Sequence, residues 1–391
     1  MMNKAMREHL EQRILPFWQR LADEEMDGYF GYVEHDLRVA KDSPKGCILN
    51  SRLLWVFSTA AHQLGESKYL PYARRAYDFM RHFEDEPYGG LYWMCDRTGR
   101  PIDTRKNTYC QSFGIYGLAA YAQATGEKEP LERAMALYRL VESRLKDETG
   151  YLEGFARDFS PTLDDKISDN EQLVKQHRVA THTMNTYLHL MEAYTMLYRV
   201  SGDEQVKQSA LALLRAFTDQ IYNPKLKRLD CFFEPDFTSM VDVQSYGHDI
   251  EGTWLMDETA ELVCDAEERE RVAALTLELA HAVRERAYHG AGLDNECQEG
   301  RQDDTRVWWV QAEAVVGLAN AWQKSGDAAD LAAAEGVWQY IREHVVDPRP
   351  GSEWFWSVSA SGEVPPRPIV EPWKCPYHNS RMCLEIIRRG L

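Results

Sequence analysis

The connections between helices constrain the fold of this 391-residue chain more than any other feature, because short and long ones alternate. Apolar residues at helical spacing predict about twelve helices. These cover residues 3–24, 50–65, 67–84, 107–125, 129–146, 180–201, 203–221, 248–265, 267–289, 306–325, 327–346 and 374–389. The similar sequences LGES, TGEK, SGDE and SGDA follow the second, fourth, sixth and tenth helices. Each contains a glycine that ends one helix just before the next begins, and their spacing of roughly sixty residues indicates a repeated helical hairpin.

The other connections are long and rich in aromatic residues. They cover roughly residues 25–49, 85–106, 147–179, 222–247, 290–305 and 347–373. Pieces such as GYFGYVEHD and YGGLYWMCD predict short β-strands within these loops, and loops of such length are usually functional. Because long and short connections alternate, all long loops emerge at one end. We therefore predict an all-α (α/α)6 barrel in which the helix after each long loop is the inner one. The alternative, an open α-solenoid, would not need six elaborated loops on one edge.

Composition narrows the class of protein. Hydrophobic residues make up 44% of the chain and no linker interrupts it, so we predict a single catalytic domain over residues 1–391. The net charge of −17 disfavours nucleic acid and anionic membranes as partners. Neither a signal peptide nor an apolar run of membrane-spanning length is present, so we expect a cytoplasmic protein. The eight cysteines are spread singly, which predicts small buried hydrophobic residues rather than zinc or redox sites.

Two histidines near predicted helix starts are candidates for acid–base chemistry. His248 and Glu251 are three residues apart in SYGHDIE, so they share a helix face, and a carboxylate can orient an imidazole. His378 lies in the first turn of the last helix, where the helix dipole disfavours the protonated form. Each residue also has an ordinary interpretation, as a surface pair or a helix-terminal histidine. Their position after long loops favours the catalytic one.

Other residues at the same end are suited to bind a sugar. Arg52 lies in a first helical turn, where a cation opposes the dipole, so we predict that it faces an oxygen-rich ligand. Asn185 and His189 share a helix face four residues apart. Aromatic faces suit the C–H faces of sugar rings, although core packing is the commoner role; the candidates are Tyr109, Trp309 and Trp373. No metal is predicted, because Arg52 would repel a divalent ion. The motifs of nucleotide-binding proteins, zinc proteases and serine hydrolases are absent from the sequence.

Five segments carry a resemblance to a known family. SRLLWVFS, TMNTYLHLMEAYTMLYR, SYGHDIEGTWLMD, TRVWWVQAEAVVG and WKCPYHNSRMCLEII resemble, in order, the cellobiose 2-epimerase branch of the N-acylglucosamine 2-epimerase superfamily. The resemblance implies an (α/α)6 barrel and cofactor-free epimerisation at C2 of the reducing-end sugar of β-1,4-linked disaccharides. It implies that His248 and His378 are the acid/base pair and that Glu251 supports His248. The residues that it implies for substrate binding are Arg52, Tyr109, Asn185, His189, Trp309 and Trp373.

Two departures from the family pattern bear on specificity. Ser380 stands between Asn379 and Arg381 where the family often has glycine, and Tyr187 replaces a histidine. A mannose 2-epimerase or an aldose–ketose isomerase of the same superfamily is therefore a close alternative. An inverting glycoside hydrolase would need two carboxylates about 6.5–9.5 Å apart, for which Asp249, Glu251 and Asp257 are candidates. A non-catalytic glycan-binding protein would leave the histidines unexplained. In each case a small sugar is the expected partner, and we expect a monomer.

Overall fold

A computed structural model of the protein describes residues 2–162 and 170–391, and most of its regular structure is helical. Helix α1 consists of three consecutive helical segments, Met2–His9, Leu10–Ile14 and Leu15–Gln19. The other principal helices are α2 (Cys47–Leu64), α3 (Leu70–Met80), α4 (Thr108–Thr125), α5 (Lys128–Arg144), α6 (Met184–Ser201), α7 (Glu204–Ala216), α8 (Tyr246–Val263), α9 (Ala266–Ala287), α10 (Trp308–Ser325), α11 (Ala328–Tyr340) and α12 (Tyr377–Arg389). Short helical turns flank α3 (Ser67–Tyr69, Arg81–Phe83) or extend α7 and α11 (Phe217–Ile221, Ile341–Val345). A short helix at Glu171–Lys175, inside the third long loop, was not predicted.

The even-numbered helices form a closed inner ring. Each of α2, α4, α6, α8 and α10 contacts the next even-numbered helix, and α12 contacts α2. The odd-numbered helices pack outside, and the two ends of the chain meet where α1 packs on α12. The Asn3 amide there donates a hydrogen bond to the Leu391 carbonyl. The prediction of an (α/α)6 barrel with inner helices after the long loops is therefore confirmed, and the open solenoid is wrong.

Glycines allow the inner helices to approach closely. A Cβ atom on Gly117 of α4 would lie 2.6 Å from the Ser51 carbonyl oxygen of α2. A Cβ atom on Gly317 of α10 would lie 2.6 Å from the Ile250 carbonyl oxygen of α8. Neither position can take a larger residue without moving a backbone. This explains why the inner helices are rich in small residues.

Short antiparallel strands join the long loops into a ring, as the Gly-aromatic pieces predict. The paired strands are Lys45–Gly46 with Met94–Cys95 and then Pro101–Asp103, Lys106–Asn107 with Gly154–Phe155, His182–Thr183 with Phe232–Phe233, Val243–Ser245 with Glu296–Gln298 and then Arg301–Asp303, and Arg306–Val307 with Ser357–Val358. Tyr222–Asn223 also pairs locally with Arg228–Leu229. In five cases the strand that leads into an inner helix pairs with the next long loop. A bridge between Val33 and Val370 joins the first loop to the last.

Buried ion pairs fix the strands to the loops. Lys45 Nζ lies 3.0 Å from Asp23 Oδ2, with both side chains inaccessible to solvent. Arg97 Nε donates to the same Asp23 oxygen at 3.1 Å. We refer to Lys45 and Asp23 as the Lys45 pair. Similar pairs join Lys106 to Asp85, Arg306 to Asp294 and Lys374 to Glu353.

Two predictions from composition can be compared with the described residues. None of the helices among them combines the length and the apolar character that a membrane span needs. All eight cysteines are free thiols. Six are buried and only Cys264 and Cys297 are half-buried, so most serve as the small core residues that we predicted.

Candidate active site

The long loops and the N-termini of the inner helices enclose a cavity of about 630 Å³. This volume lies within the range of small-molecule sites. Four of the predicted site residues line it, namely Tyr109, Asn185, His248 and Trp373. Glu251, Arg52, His189, Trp309 and His378 are not among its lining residues, and their contacts show how they relate to it.

Tyr109 connects the cavity to Arg52 and His189. Its hydroxyl accepts a hydrogen bond from Arg52 Nη2 at 2.8 Å, and its ring centroid lies 5.1 Å from that of His189. The Arg52 guanidinium is packed between aromatic rings, 4.2 Å from the Phe113 centroid and 4.7 Å from that of Tyr377. Arg52 Nε is buried without a hydrogen-bond partner among the described residues. The cation is thus held rigidly, with one donor still available.

Trp309 connects the two predicted acid–base histidines. Its ring centroid lies 4.7 Å from that of His248 and 5.4 Å from that of His378. A Cβ atom on Gly247 would lie 2.4 Å from the Trp309 ring, so glycine is needed there for the tryptophan to approach. His248 begins one inner helix and His378 begins another, yet a single indole contacts both imidazoles. This juxtaposition brings the two predicted acid–base histidines close together, although His378 is not among the residues that line the cavity.

A buried charged network lies beside His378. The Arg381 guanidinium of α12 donates to three carboxylates, at 2.5 Å to Glu192, at 2.7 Å to Glu313, and also to Glu251. Each glutamate comes from a different inner helix, α6, α8 or α10. We refer to these four residues as the Arg381 cluster. One cation cannot neutralise three buried carboxylates, so ionisation of all three is disfavoured.

The carboxylates of the cluster differ in their protonation. Burial and the neighbouring Glu313 carboxylate raise the pKa of Glu251 to about 7. Burial also raises the pKa of Glu313, although Arg381 opposes it. Burial by itself would raise the pKa of Glu192, but Arg381 and the hydrogen bond with His189 outweigh it and hold this pKa at about 2. Glu251 therefore gains or loses a proton near neutral pH, while Glu192 remains ionised.

The carboxylates of the cluster orient the imidazoles of His378 and His189. The prediction that Glu251 supports His248 is wrong. His378 Nδ1 lies 2.8 Å from Glu313 Oε1 and 4.0 Å from Glu251 Oε1, while His189 Nδ1 lies 3.0 Å from Glu192. Glu251 does not pair with His248, whose Nδ1 instead lies 2.8 Å from the Ser245 hydroxyl. Glu251 is drawn to Arg381 because a guanidinium attracts a buried carboxylate more strongly than a neutral imidazole does.

Both candidate bases are neutral at neutral pH. Burial, with a smaller contribution from His189, lowers the pKa of His248 to about 3. Burial, followed by the Arg381 and Arg52 cations, holds the pKa of His378 well below its usual range. The sequence predicted a neutral His378 from the helix dipole, whereas burial and two cations are the main causes. A neutral imidazole can accept a proton, which a base must do.

Carboxylates proposed for glycoside hydrolysis lie elsewhere. Asp249 accepts hydrogen bonds from the Leu229 amide and the Gln244 side chain, both at 2.8 Å. Asp257 Oδ2 lies 2.7 Å from Lys324 Nζ. Neither aspartate lines the cavity. The contacts of these two aspartates are structural, and the hydrolase alternative loses two of its three candidate carboxylates.

The two departures from the family pattern lie away from the cavity lining. The Tyr187 hydroxyl accepts the Tyr151 amide hydrogen bond at 2.9 Å. Ser380 is buried at the start of α12, where its amide donates to the Pro376 carbonyl. Both residues support loop and helix structure.

The sequence analysis missed three residues of the candidate site, Glu313, Arg381 and Ser245. The available signal was the glutamate within the otherwise apolar WWVQAEAVVG segment.

Comparison with known proteins identifies the family. Residues 28–381 match the family model described as N-acylglucosamine 2-epimerase. The chain is 42% identical to the cellobiose 2-epimerase of Ruminococcus albus over 100% of both chains, and 40% identical to that of Dictyoglomus turgidum over 98% of this chain and 97% of the relative. It therefore belongs to the N-acylglucosamine 2-epimerase family and is a carbohydrate epimerase, an isomerase.

Solved structures agree with this assignment. The cellobiose 2-epimerase from Bacillus thermoamylovorans superposes with a TM-score of 0.94 at 41% identity, covering 99% of each chain. A D-mannose isomerase superposes with a TM-score of 0.83 at 16% identity, over 99% of this chain and 98% of that one. The latter likeness is one of fold alone. The resemblance stated from the sequence motifs is confirmed.

Proposed function

We propose that the protein epimerises C2 of the reducing-end sugar of β-1,4-linked disaccharides. Cellobiose would give glucosyl-mannose and lactose would give epilactose. The observation that carries the proposal is the placement of His248 and His378, two neutral imidazoles on different helices, against the Trp309 ring. The full-length similarity to cellobiose 2-epimerases supports the choice of substrate.

The reaction needs an open-chain sugar and two proton transfers. Ring opening exposes the C1 carbonyl, which makes the C2 proton acidic because the carbonyl oxygen can take the charge. One histidine removes that proton to leave an enediolate, whose oxygens the Arg52 cation can stabilise. The other histidine delivers a proton to the opposite face of C2, which inverts the configuration.

The surroundings of His378 are suited to this exchange. Glu313 accepts from Nδ1 at 2.8 Å, which leaves Nε2 as the nitrogen that can face substrate. The histidine that delivers a proton must first carry one. It takes this proton up from water on the ring nitrogen that faces the substrate, and the Glu251 carboxyl, 4.0 Å from His378 Nδ1, stabilises the resulting imidazolium when it is ionised. Asn185 offers a further contact, since its buried Oδ1 has no hydrogen-bond partner among the described residues.

A single incubation in D₂O tests the proposal. With cellobiose, we expect glucosyl-mannose that carries deuterium at C2, identified by NMR. Product without label at C2 would exclude transfer through solvent-exchanging bases. Parallel incubations with lactose, mannose and glucose identify the alternatives. A mannose 2-epimerase would act only on the monosaccharides, and an aldose–ketose isomerase would return the proton to C1.

We further infer one catalytic domain over residues 1–391 that acts as a cytoplasmic monomer. The inner ring needs helices from both halves of the chain, and α1 packs on α12. Every proposed site residue comes from one chain, so a monomer is sufficient. The free thiols are consistent with a reducing compartment. Size-exclusion chromatography with light scattering would measure the oligomeric state.

A further inference from the structure

Trp93 occupies a fixed position in the cavity wall and was not among the predicted site residues. It lines the cavity directly before the Met94–Cys95 strand. Its amide donates to the Asp103 carbonyl and its own carbonyl accepts from the Cys47 amide, both at 3.1 Å. The same small sheet leads into α2, which carries Arg52. The backbone at Trp93 is therefore fixed relative to the helix that carries Arg52.

Trp93 continues an aromatic wall that begins beside the proposed reaction centre. Tyr109, which contacts Arg52 and His189, lies with its ring centroid 5.8 Å from that of Trp373. The Trp373 centroid lies in turn 5.5 Å from that of Trp93, at 61° between the ring planes. Tyr109 is only 7% exposed and Trp373 is 38% exposed. The wall thus runs from the buried part of the cavity to its open part.

Trp356 provides an internal comparison. It holds the same place in the repeat as Trp93, because its carbonyl accepts the amide of the first residue of an inner helix, Trp308, at 3.0 Å. Its ring, however, packs 4.5 Å from the Trp308 centroid, and the Arg367 guanidinium covers it at 3.7 Å. Trp356 does not line the cavity. The equivalent tryptophan is thus used in packing, whereas the Trp93 ring is part of the cavity wall.

We propose that Trp93 determines the preference for disaccharides over monosaccharides by contacting the second, non-reacting sugar ring. This inference rests on the proposed function. A reacting sugar held by Arg52 and His189 occupies the Tyr109 end of the wall, so a β-1,4-linked second ring must extend along it. An indole face offers a large apolar surface for the C–H face of a sugar. Polar side chains elsewhere in the cavity, among them Glu171, Gln298 and Arg301, can bond the hydroxyl groups.

Two unreactive open-chain inhibitors test the role of Trp93. Glucitol and cellobiitol have the same reduced end, and only cellobiitol carries the second ring. In Trp93→Ala, we expect the inhibition constant of cellobiitol to rise about tenfold, as loss of an aromatic contact would give, while that of glucitol stays unchanged. Trp93→Phe keeps an aromatic face and should recover much of the affinity. The matched control Trp356→Ala should bind both inhibitors as the wild type does.

The outcomes separate this inference from the proposed function. An equal rise for both inhibitors, or no rise for cellobiitol, would overturn the role of Trp93. An unchanged constant for glucitol shows that the rest of the site is intact; if Trp93→Ala does not fold, Trp93→Leu replaces it. A wild-type protein that leaves cellobiose unchanged and binds neither inhibitor would instead refute the proposed function.

Discussion

Two buried groups of charged side chains differ in the balance between positive and negative charge. In the Lys45 pair, the Asp23 oxygens accept from Lys45, from Arg97 and from the Met26 amide, so the carboxylate is fully satisfied. In the Arg381 cluster, one guanidinium faces three carboxylates. Glu251 Oε2 there is buried without a hydrogen-bond partner in the described parts of the chain.

The difference also appears in protonation. Burial would raise the pKa of Asp23, but Arg97 and Lys45 outweigh it and hold this pKa far below its usual range. Glu251 has a pKa raised to about 7. A balanced pair keeps one charge state and serves structure. An unbalanced cluster changes protonation near neutral pH, which is typical of functional sites and costs stability. Four predictions test this contrast.

The largest expected effect is the loss of either imidazole that contacts Trp309. His248→Ala and His378→Ala should each lower kcat by roughly 1,000-fold, since general acid–base residues contribute 10²- to 10⁴-fold. Epimer formation from cellobiose measured by NMR checks this, with circular dichroism to confirm folding. The exposed His344→Ala is the control. Turnover near the wild-type rate in either variant would remove that histidine from the mechanism.

Removal of the Lys45 cation should reduce stability rather than turnover. Lys45→Met leaves a buried carboxylate with Arg97 and backbone amides as its remaining partners, and we expect the free energy of unfolding to fall by about 3 kcal/mol at pH 7. Folding lowers the pKa of Asp23. The loss of unfolding free energy caused by Lys45→Met should therefore be full above the pKa of Asp23 in the unfolded chain, and it should shrink as the pH falls below that value. Urea unfolding at pH 7 and pH 3 measures this. Asp23→Asn added to Lys45→Met should restore part of the loss; an unaltered midpoint would contradict a structural role.

Glu251→Gln should remove the ionisation that distinguishes the cluster. We expect kcat to fall by about 10- to 100-fold, the range for residues that support a catalytic group. The wild type should lose stability as the pH rises from 4.5 through about 7, because its folded-state pKa is raised. This loss is at most about 3 kcal/mol, and the glutamine variant should not show it. The free energy of unfolding and kcat should be measured against pH for the wild type and for Glu251→Gln. The same pH dependence in both proteins would contradict a titration of Glu251 near pH 7.

The smallest effect is expected for an exposed ion pair between an arginine and an aspartate. Arg74 and Asp78 lie 2.9 Å apart on the surface of α3. Arg74→Gln should change the free energy of unfolding by less than about 0.5 kcal/mol, because water screens such pairs. Thermal unfolding of Arg74→Gln, measured in parallel with that of Lys45→Met, makes the comparison. A loss as large as that of Lys45→Met would show that burial is not what separates the two pairs.

The sequence by itself determined the architecture of this protein. Helical periodicity, the glycine turns and the alternation of loop lengths are local signals, and they predicted the barrel, its inner helices and the end at which the site lies. Local spacing also placed His248, His378 and Tyr109 at that end, because the first turns of the inner helices all lie at the end of the barrel that carries the long loops.

Only the tertiary structure decided which charges pair. Glu251 is three residues from His248, yet it binds Arg381, which is 130 positions away in the chain. Glu313 orients His378 although nothing in their separate segments links them. Pairing in a closed barrel depends on distances across the ring and on the strength of buried charge attraction. Neither quantity can be read from residues that are close in the sequence. The same local pattern is therefore compatible with several pairings of the charged side chains until the helices are packed.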